Sequence, residues 1–210
     1  KLQSCWYFIY LHGNNMVYQI MFDDFLYNFY RSIKLDKNLY KDKKIFENLS
    51  LFFAGLVIII SGFAGLYAQN TFIESLEATY GINNISTASF FTVVFSSILG
   101  WIIWTALIYI VGAKLFSEVN TKANFKNILI AVGYGHAPAI FRFLAVLPEL
   151  LIPIVIITQI WILLSIAIGI KETLNFRSNF KSIGVVVIVF FIMLLAFIFI
   201  MSKSKLIPVS

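Results

Sequence analysis

The 210-residue chain is 60% hydrophobic and only 12% charged, and its mean hydropathy is +0.88. This apolar composition excludes a soluble globular domain and indicates an all-α integral membrane protein. The formal net charge of +6 does not indicate nucleic-acid binding, because the sixteen Lys and Arg residues lie between the apolar runs, where they suit anionic lipid headgroups.

Residues 1–20 contain an apolar run of only seven residues, from Cys5 to Leu11. A run of this length does not make a convincing signal peptide. We expect residues 1–20 to be a non-native or disordered extension, with Met16 and Met21 as alternative starts.

Residues 21–48 are expected to form a cytoplasmic amphipathic helix followed by a basic linker. Apolar side chains recur there at intervals of three and four residues, as on one face of a helix: Phe22, Phe25, Leu26, Phe29 and Ile33. A helix of this kind lies in the membrane interface. It either caps the bundle from below or acts as a partner-binding or membrane-sensing element, and the periodicity fits both roles.

Five apolar runs follow, each close to the roughly 20 helical residues that cross a hydrocarbon core of about 30 Å. They are residues 49–68, 89–113, 127–147, 150–170 and 184–201. Because the connections are short, residues 49–201 are predicted to form one bundle of five transmembrane helices, with residues 202–210 as a short tail. After the first run, Thr71 and Glu74 form a capping-box pair and Gly81 suits a helix end, which predicts a separate surface helix.

The basic residues predict a cytoplasmic N-terminus by the positive-inside rule. With five spans, thirteen Lys and Arg residues lie on the cytoplasmic side, and the outer side carries Arg142, Lys203 and Lys205. The C-terminus is then outside. If the third run is a re-entrant loop, the resulting four-span topology also divides the charges thirteen to three, so charge does not decide between the two topologies.

The third run contains the stretch AVGYGHAP, residues 131–138, which resembles a potassium-channel selectivity filter in its Val-Gly-Tyr-Gly letters. A filter loop needs a pore helix in front of it. Residues 127–130 supply only about one helical turn after Lys126, and Ala131 stands where a filter has threonine. These features argue against an ion channel but leave a re-entrant loop open.

Motifs for catalysis, cofactors and metals are missing from the sequence. Gly133 and Gly135 have no preceding strand and are followed by Pro138 instead of a third glycine, which excludes a dinucleotide loop. The single cysteine, Cys5, and two widely separated histidines provide no paired metal ligands. We therefore expect no enzymatic activity and no cofactor.

We interpret the stretch as a transmembrane helix with a seam of small residues and a kink. Its small residues are Ala131, Gly133, Gly135 and Ala139. Three of them are spaced by four and line one face, which lets another helix approach closely. Pro138 lacks an amide hydrogen and clashes with the carbonyl of Tyr134, which predicts a kink and a carbonyl in need of a donor.

Polar side chains near the kink form a candidate intramembrane site of Tyr134, His136 and Gln159. An ionised side chain at this depth costs about 2.5–3.5 kcal/mol or more. We therefore consider a neutral, structural His136 first and a proton or solute site second. Arg142 and Glu149 flank the turn at Pro148 and are expected to pair across an outer hairpin.

Several of these features occur together in one known family. They are Gly133-Tyr134-x-x-x-Pro138 in the third run, the turn at Pro148, Trp161 in the fourth run, the exit Ile168-Gly169-Ile170-Lys171-Glu172, and Leu35-Asp36 with Tyr40. Across residues 21–201 the chain resembles the membrane domain of the Yip family, the Ypt/Rab-interacting proteins, and the residues before the first run are similar to prokaryotic members.

The resemblance implies a five-pass bundle with a cytoplasmic N-terminus. In eukaryotic members it also implies a role in vesicle trafficking with small GTPases and in shaping endomembranes. This chain lacks the long acidic and aromatic N-terminal segment of those members, which argues against GTPase binding. The membrane is then the plasma membrane of a prokaryote or an endomembrane of a eukaryote.

Three functional hypotheses remain open. The first is a membrane scaffold that binds itself or other membrane proteins through the seam and the interfacial helix. The second is a proton or small-solute transporter at Tyr134, His136 and Pro138, in which His136→Ala should abolish flux. The third is a re-entrant ion channel. If the scaffold hypothesis is correct, Gly135→Leu should break oligomers or destabilise the bundle.

Overall fold

The computed structural model describes residues 21–81, 89–118, 121 and 123–203, and the regular elements in these ranges are helical. The expected extension 1–20 and residues 204–210 of the expected tail lie outside the described residues. The α-helices are α1 (residues 21–33), α2 (Asn48–Tyr80), α3 (Phe90–Ile108), α4 (Phe125–Gly135), α5 (Pro148–Leu174) and α6 (Asn179–Lys203). Short 3-10 helices cover Lys37–Lys41, Lys43–Phe46 and Ala137–Leu144, and α3 continues as a π-helix over Tyr109–Leu115.

Among the described residues, four helical stretches are long and apolar enough to cross a bilayer: Leu49–Tyr80, Phe90–Leu115, Pro148–Leu174 and Asn179–Ile200. They correspond to four of the five predicted spans. The remaining prediction, residues 127–147, is divided between α4 and the 3-10 helix Ala137–Leu144. We call residues 125–144, which comprise these two pieces, the broken segment.

Helix α2 is much longer than the first predicted span. It runs without interruption for 33 residues, which is about 50 Å at 1.5 Å per residue. The separate surface helix predicted from Thr71 and Glu74 is wrong, because the Thr71 hydroxyl donates to the carbonyl of Tyr67 within the same helix. Gly81 ends α2 in the left-handed conformation, at φ 66°.

The broken segment lies between α2 and α5 and advances steadily along both. Its contacts with α2 are, in chain order, Gly133 with Ala54, His136 with Ser61, Phe143 with Tyr67 and Ala145, just beyond it, with Ala68. Its contacts with α5 are Ala131 with Gly169, Gly135 with Ile166, Phe141 with Trp161 and Arg142 with Thr158. The segment therefore runs parallel to α2 and antiparallel to α5, without reversing direction.

The chain leaves α1 through a tight turn. The amide of Asp36 donates to the carbonyl of Arg31 and the amide of Leu35 to that of Ser32, the two bonds of a Schellman motif. Leu35 takes the left-handed conformation that this motif requires, at φ 58°. The Asp36 carboxylate then accepts from the amide of Asn38 and begins the 3-10 helix Lys37–Lys41.

Ion pairs in the described part of the chain lie at the end of the bundle where α1 packs. They are Arg31 with Asp36 at 2.7 Å, Lys181 with Glu118 at 3.1 Å and Lys41 with Glu172 at 3.9 Å. Hydrogen bonds from Arg31 and Lys181 lower the pKa of Asp36 and Glu118, so both carboxyls are charged at neutral pH.

Candidate functional site at the break

The broken segment changes helix type at His136. Helix α4 ends at Gly135, and from Ala137 to Leu144 the chain winds as a 3-10 helix. Pro138 stands at the start of this second helix, where its missing amide hydrogen costs no internal bond. The kink predicted in a continuous helix is thus a change from α to 3-10 geometry.

The carbonyl of Tyr134, which Pro138 deprives of the amide donor four residues along the chain, accepts a hydrogen bond from α1 as well as from the His136 amide. Ser32 Oγ donates to it at 2.6 Å. Because the Ser32 hydroxyl has a single proton, the Tyr40 hydroxyl, 3.3 Å away, acts as donor to Ser32 Oγ. Burial raises the pKa of Tyr40, so the phenol keeps the proton that it donates. The Ser32 hydroxyl, from a separate helix, therefore replaces the amide donor that Pro138 lacks.

The last turn of α1 is also bound by α5. Carbonyls at a helix C-terminus have no donor within the helix. Here Ser165 Oγ donates to the carbonyl of Ser32 at 3.4 Å, and Trp161 Nε1 donates to the carbonyl of Ile33 at 2.9 Å. The Trp161 ring also stacks on Phe141 of the broken segment, with centroids 5.2 Å apart. We call this cluster of Ser32, Tyr40, Tyr134, Trp161 and Ser165 the α1 joint.

His136 is half-buried, and its ring is held by its own helix. Nδ1 lies 2.8 Å from the carbonyl of Val132, an oxygen that can only accept. Nδ1 therefore carries the proton in the neutral ring, and Nε2 is an acceptor. The His136 carbonyl accepts from Ser61 Oγ of α2 at 3.0 Å. These bonds suit the structural interpretation, and Nε2 is the atom that a proton-carrying role would use.

Gly133 and Gly135 face opposite neighbours. A Cβ at Gly133 would lie 2.7 Å from Ala54 Cβ of α2. A Cβ at Gly135 would lie 2.6 Å from Ile166 Cγ1 and 3.2 Å from the Ile166 backbone of α5. Because such close contacts do not occur between real side chains, both positions require glycine for α4 to fit between α2 and α5.

The predicted seam of Ala131, Gly135 and Ala139 is formed only in part. Ala131 and Gly135 contact α5, but Ala139 lines a cleft toward α2 and α3. The change of helix type explains the difference, because a 3-10 helix has about three residues per turn and a spacing of four no longer keeps one face. All three residues are buried within the chain, so the seam is closed to a second copy.

Within the described part of the chain, Arg142 forms no ion pair with Glu149. Its Nε donates to Thr158 Oγ1 at 3.2 Å and its Nη2 to Gln159 Oε1 at 2.8 Å, whereas the Glu149 side chain is exposed. The predicted outer ion pair is wrong because antiparallel packing brings Arg142 level with Thr158, about two and a half turns along α5 from Glu149.

The predicted polar site of Tyr134, His136 and Gln159 is not joined by hydrogen bonds among the described residues. Gln159 accepts from Arg142, and the buried hydroxyl of Tyr134 has no partner in that part of the chain. His136 instead shares a cleft of about 260 Å³ with Arg142 and Trp104. The buried Nε1 of Trp104 likewise has no partner among the described residues.

The predicted apolar face of α1 divides into two sides. Phe25 is only 7% exposed, and Phe29 and Ile33 pack against the same core. Phe22 and Leu26 remain 56% and 46% exposed. Helix α1 therefore packs on the bundle with one side and presents the other outward.

Ser32 and Ser61 are the residues at the break that sequence reasoning missed. Each donates to a carbonyl of the broken segment, yet neither belongs to a motif. For Ser32 a signal was present, because it is a small polar residue beside Ile33 on the apolar face of α1. Pro138 also indicated that the carbonyl of Tyr134 needed a donor.

Within the described ranges, no three His, Cys, Asp or Glu side chains are grouped as ligands for a metal ion. Comparison with known proteins gives one result: the family model of the Yip1 domain matches residues 42–200. This range begins after α1 and includes α2, α3, the broken segment and α5. No curated protein and no solved structure matches the chain.

Proposed function

Since the chain belongs to the Yip1 domain family, we propose that it is a non-enzymatic, multi-pass membrane protein that acts as a membrane scaffold in trafficking or membrane organisation. Membrane residence rests on the family and on the apolar helices. Contact of the protein with lipid follows from membrane residence. The scaffold role is supported by the way in which the polar groups near the break are used.

The α1 joint is the observation that carries the scaffold proposal. Ser32 and Ser61 occupy the carbonyls of Tyr134 and His136, and Trp161 binds the end of α1. Buried polar groups that are satisfied in this way hold neighbouring elements in one arrangement. The polar residues near the break thus serve a rigid frame.

The proposed frame crosses the membrane five times, with the broken segment as the third crossing. From Ala54 to Ala68, its contacts follow α2 over about 21 Å at 1.5 Å per residue, and they never turn back. A re-entrant loop would return to the side from which it entered. With a cytoplasmic N-terminus, five crossings place the C-terminus outside.

Helix α1 gives this frame an outward contact surface. Phe22, Leu26 and Tyr30 recur every four residues and are exposed, and Lys34 Nζ lies 4.4 Å from the Tyr30 ring centroid. We call Phe22, Leu26 and Tyr30 the α1 stripe. An aromatic and apolar stripe that ends in lysine suits the membrane interface or the apolar face of another helix. Because the seam is buried, the stripe is the surface proposed for contact with a second copy.

Self-association in lipid tests this proposal without a known partner. The full chain is labelled with donor or acceptor dye at its single cysteine and reconstituted in liposomes at low density. We expect energy transfer above that of randomly mixed monomers, and a large loss of transfer in the double variant Phe22→Ser, Leu26→Ser. Tyr80→Ser, 70% exposed at the far end of α2, is the control that should keep wild-type transfer. Transfer equal to random mixing at every density would contradict the proposal.

A proton or small-solute transporter is the second candidate, and the cleft at His136 is the observation that favours it. The cleft is lined by His136, by Trp104, whose Nε1 has no partner among the described residues, and by Arg142. Its volume of about 260 Å³ accommodates several water molecules. Transporters place such polar groups at interrupted helices.

Flux measurements separate the two candidates. In proteoliposomes with a trapped pH-sensitive dye, a transporter gives proton flux above empty liposomes, and His136→Ala abolishes it. The scaffold proposal expects no flux in either protein. An ion channel through residues 131–138 is disfavoured, because these residues belong to the broken segment and two of their carbonyls are occupied by Ser32 and Ser61.

A further inference from the structure

Arg142 is a half-buried cation whose hydrogen bonds go to neutral groups. Among the described residues its side-chain acceptors are Thr158 Oγ1 and Gln159 Oε1, and no carboxylate pairs with it. A guanidinium has five N–H donors, so three remain for another acceptor. A positive charge inside a membrane domain is unfavourable unless an anion or a polar cavity accompanies it.

An apolar groove of about 400 Å³ lies beside this guanidinium, between α2 and α5. Its volume falls within the range of ligand pockets, about 300–1,000 Å³. Gly65 lies at its wall, where even a Cβ would be 3.7 Å from Arg142 Nη1. The missing side chain at Gly65 therefore leaves Nη1 next to the groove.

The groove opens on the outer, apolar surface of the bundle. Phe72, Ile152 and Ile156 line it and are 43%, 60% and 53% exposed. Gln69 is the polar residue that lines it together with Arg142. Gln69 lies one turn beyond Gly65 on α2, so the two positions are about 6 Å apart along the helix axis. A molecule in the groove therefore contacts apolar walls and one positive charge.

We propose that the groove binds one anionic phospholipid from the outer half of the bilayer. An acyl chain lies along α2 and α5, and a phosphate oxygen of the headgroup binds Arg142. Guanidinium binds phosphate oxygens through paired N–H donors. A zwitterionic headgroup has the same phosphate but adds a cationic ammonium that the guanidinium repels, so we expect the anionic lipid to bind more tightly. The apolar walls favour a lipid over inorganic phosphate. This inference does not depend on the scaffold role, and only its assignment to the outer half of the bilayer rests on the proposed topology.

Lipid titration of the full chain in detergent tests the site. Native mass spectrometry measures binding of dioctanoyl phosphatidylglycerol, which is anionic, and of dioctanoyl phosphatidylcholine, which is neutral. We expect one anionic lipid per chain, bound at least about tenfold more tightly than the neutral lipid, or about 1.4 kcal/mol. In Arg142→Gln the two lipids should bind alike. No preference in the wild type, or an unchanged preference in Arg142→Gln, would overturn the proposal.

Two tryptophan variants test the groove separately from the charge. Ile156 lines the groove and Ile157 does not, yet they are similarly exposed, at 53% and 59%. Ile156→Trp should weaken binding of both lipids at least about tenfold, and Ile157→Trp should bind like the wild type. If Arg142→Gln does not fold, the two tryptophan variants still test the proposal. Equal lipid binding by Ile156→Trp and Ile157→Trp would exclude the groove as the binding site. Displacement of the lipid by an equal concentration of inorganic phosphate would show a site for free oxyanions and overturn the lipid assignment.

Discussion

The broken segment and α6 differ in opposite ways in how apolar they are and in how deeply they are buried in the bundle. The most apolar 18-residue stretch of α6 has a mean hydropathy of 3.4, yet only 17% of its residues are buried in the bundle. The broken segment contains glycine, proline, histidine and arginine, and residues 130–135 are all buried. The most apolar helix is therefore at the periphery, and the least regular one is at the centre.

The reason is that lipid chains are as apolar as leucine. A leucine or phenylalanine of α6 gains little by exchanging lipid for protein. Small residues such as Gly133 and Gly135 allow close backbone contact, and hydroxyls such as that of Ser32 satisfy carbonyls that lipid cannot. In this bundle, close packing and hydrogen bonding decide which segment is central.

Leucine substitutions at two glycines test the difference between the two regions, and we expect the largest effect from them. Gly135→Leu places a side chain against the Ile166 backbone and should prevent folding, since even smaller overpacking costs about 1–3 kcal/mol. Gly184→Leu in α6 is the matched control, because a Cβ there meets nothing within 4 Å. Gel filtration in detergent should show loss of the monodisperse peak for the first variant alone. Equal behaviour of the two would contradict the close packing of α4 on α5.

Alanine truncation should show a smaller difference of the same kind. Ile130, in the broken segment, is 0% exposed, and Leu195, in α6, is 64% exposed. We expect Ile130→Ala to lower the free energy of unfolding by about 2–5 kcal/mol, and Leu195→Ala by less than about 0.5 kcal/mol. Reversible denaturation in mixed micelles measures both. A larger loss of unfolding free energy in Leu195→Ala than in Ile130→Ala would contradict the central position of the broken segment.

Removal of the Ser32 hydroxyl tests the α1 joint. Ser32→Ala removes the side-chain donor of the buried Tyr134 carbonyl, which keeps the His136 amide, and should cost about 1 kcal/mol of unfolding free energy. Ser75→Ala, on the exposed end of α2, is the control and should cost less than about 0.5 kcal/mol. Pro138→Ala restores a backbone amide near the carbonyl, so the cost of Ser32→Ala should fall in that background. If Ser32→Ala costs the same free energy in both backgrounds, the Ser32 hydroxyl does not compensate for the missing amide of Pro138.

The smallest effect is expected at the turn after α1. The hydrogen bond from Arg31 lowers the pKa of Asp36, so the pair stabilises the fold at neutral pH, and this contribution is lost as pH falls below about 4. Asp36→Asn keeps an N-cap but removes the charge, and should cost less than about 1 kcal/mol at pH 7. The cost should be smaller at pH 3 than at pH 7, as measured by denaturation at both values. A cost that is equal at both would exclude the ion pair as its cause.

The sequence was sufficient for the helical class, the family and the positions of four apolar helices, because hydropathy reports apolar runs and their order directly. It also located the break, since Pro138 cannot continue a helix hydrogen-bond ladder. It did not show that α2 continues past Thr71, because the Thr71 hydroxyl bonds back to Tyr67 rather than capping.

Contacts between distant parts of the chain were beyond sequence reasoning. The donor for Tyr134 comes from Ser32, 102 residues away, and the acceptors of Arg142 come from a helix whose register depends on packing. The change to 3-10 geometry also turned Ala139 away from the predicted seam. Each of these depends on three-dimensional packing that a linear pattern does not contain.

The position of the C-terminus tests the central claim, that the broken segment crosses the membrane. Two reporters are fused after Ser210, one active only in the cytoplasm and one active only outside it, and the same pair at the N-terminus is the control. Five crossings predict that the C-terminal fusion is active only outside and the N-terminal fusion only inside. Activity of both fusions on the cytoplasmic side would mean an even number of crossings and would contradict the account.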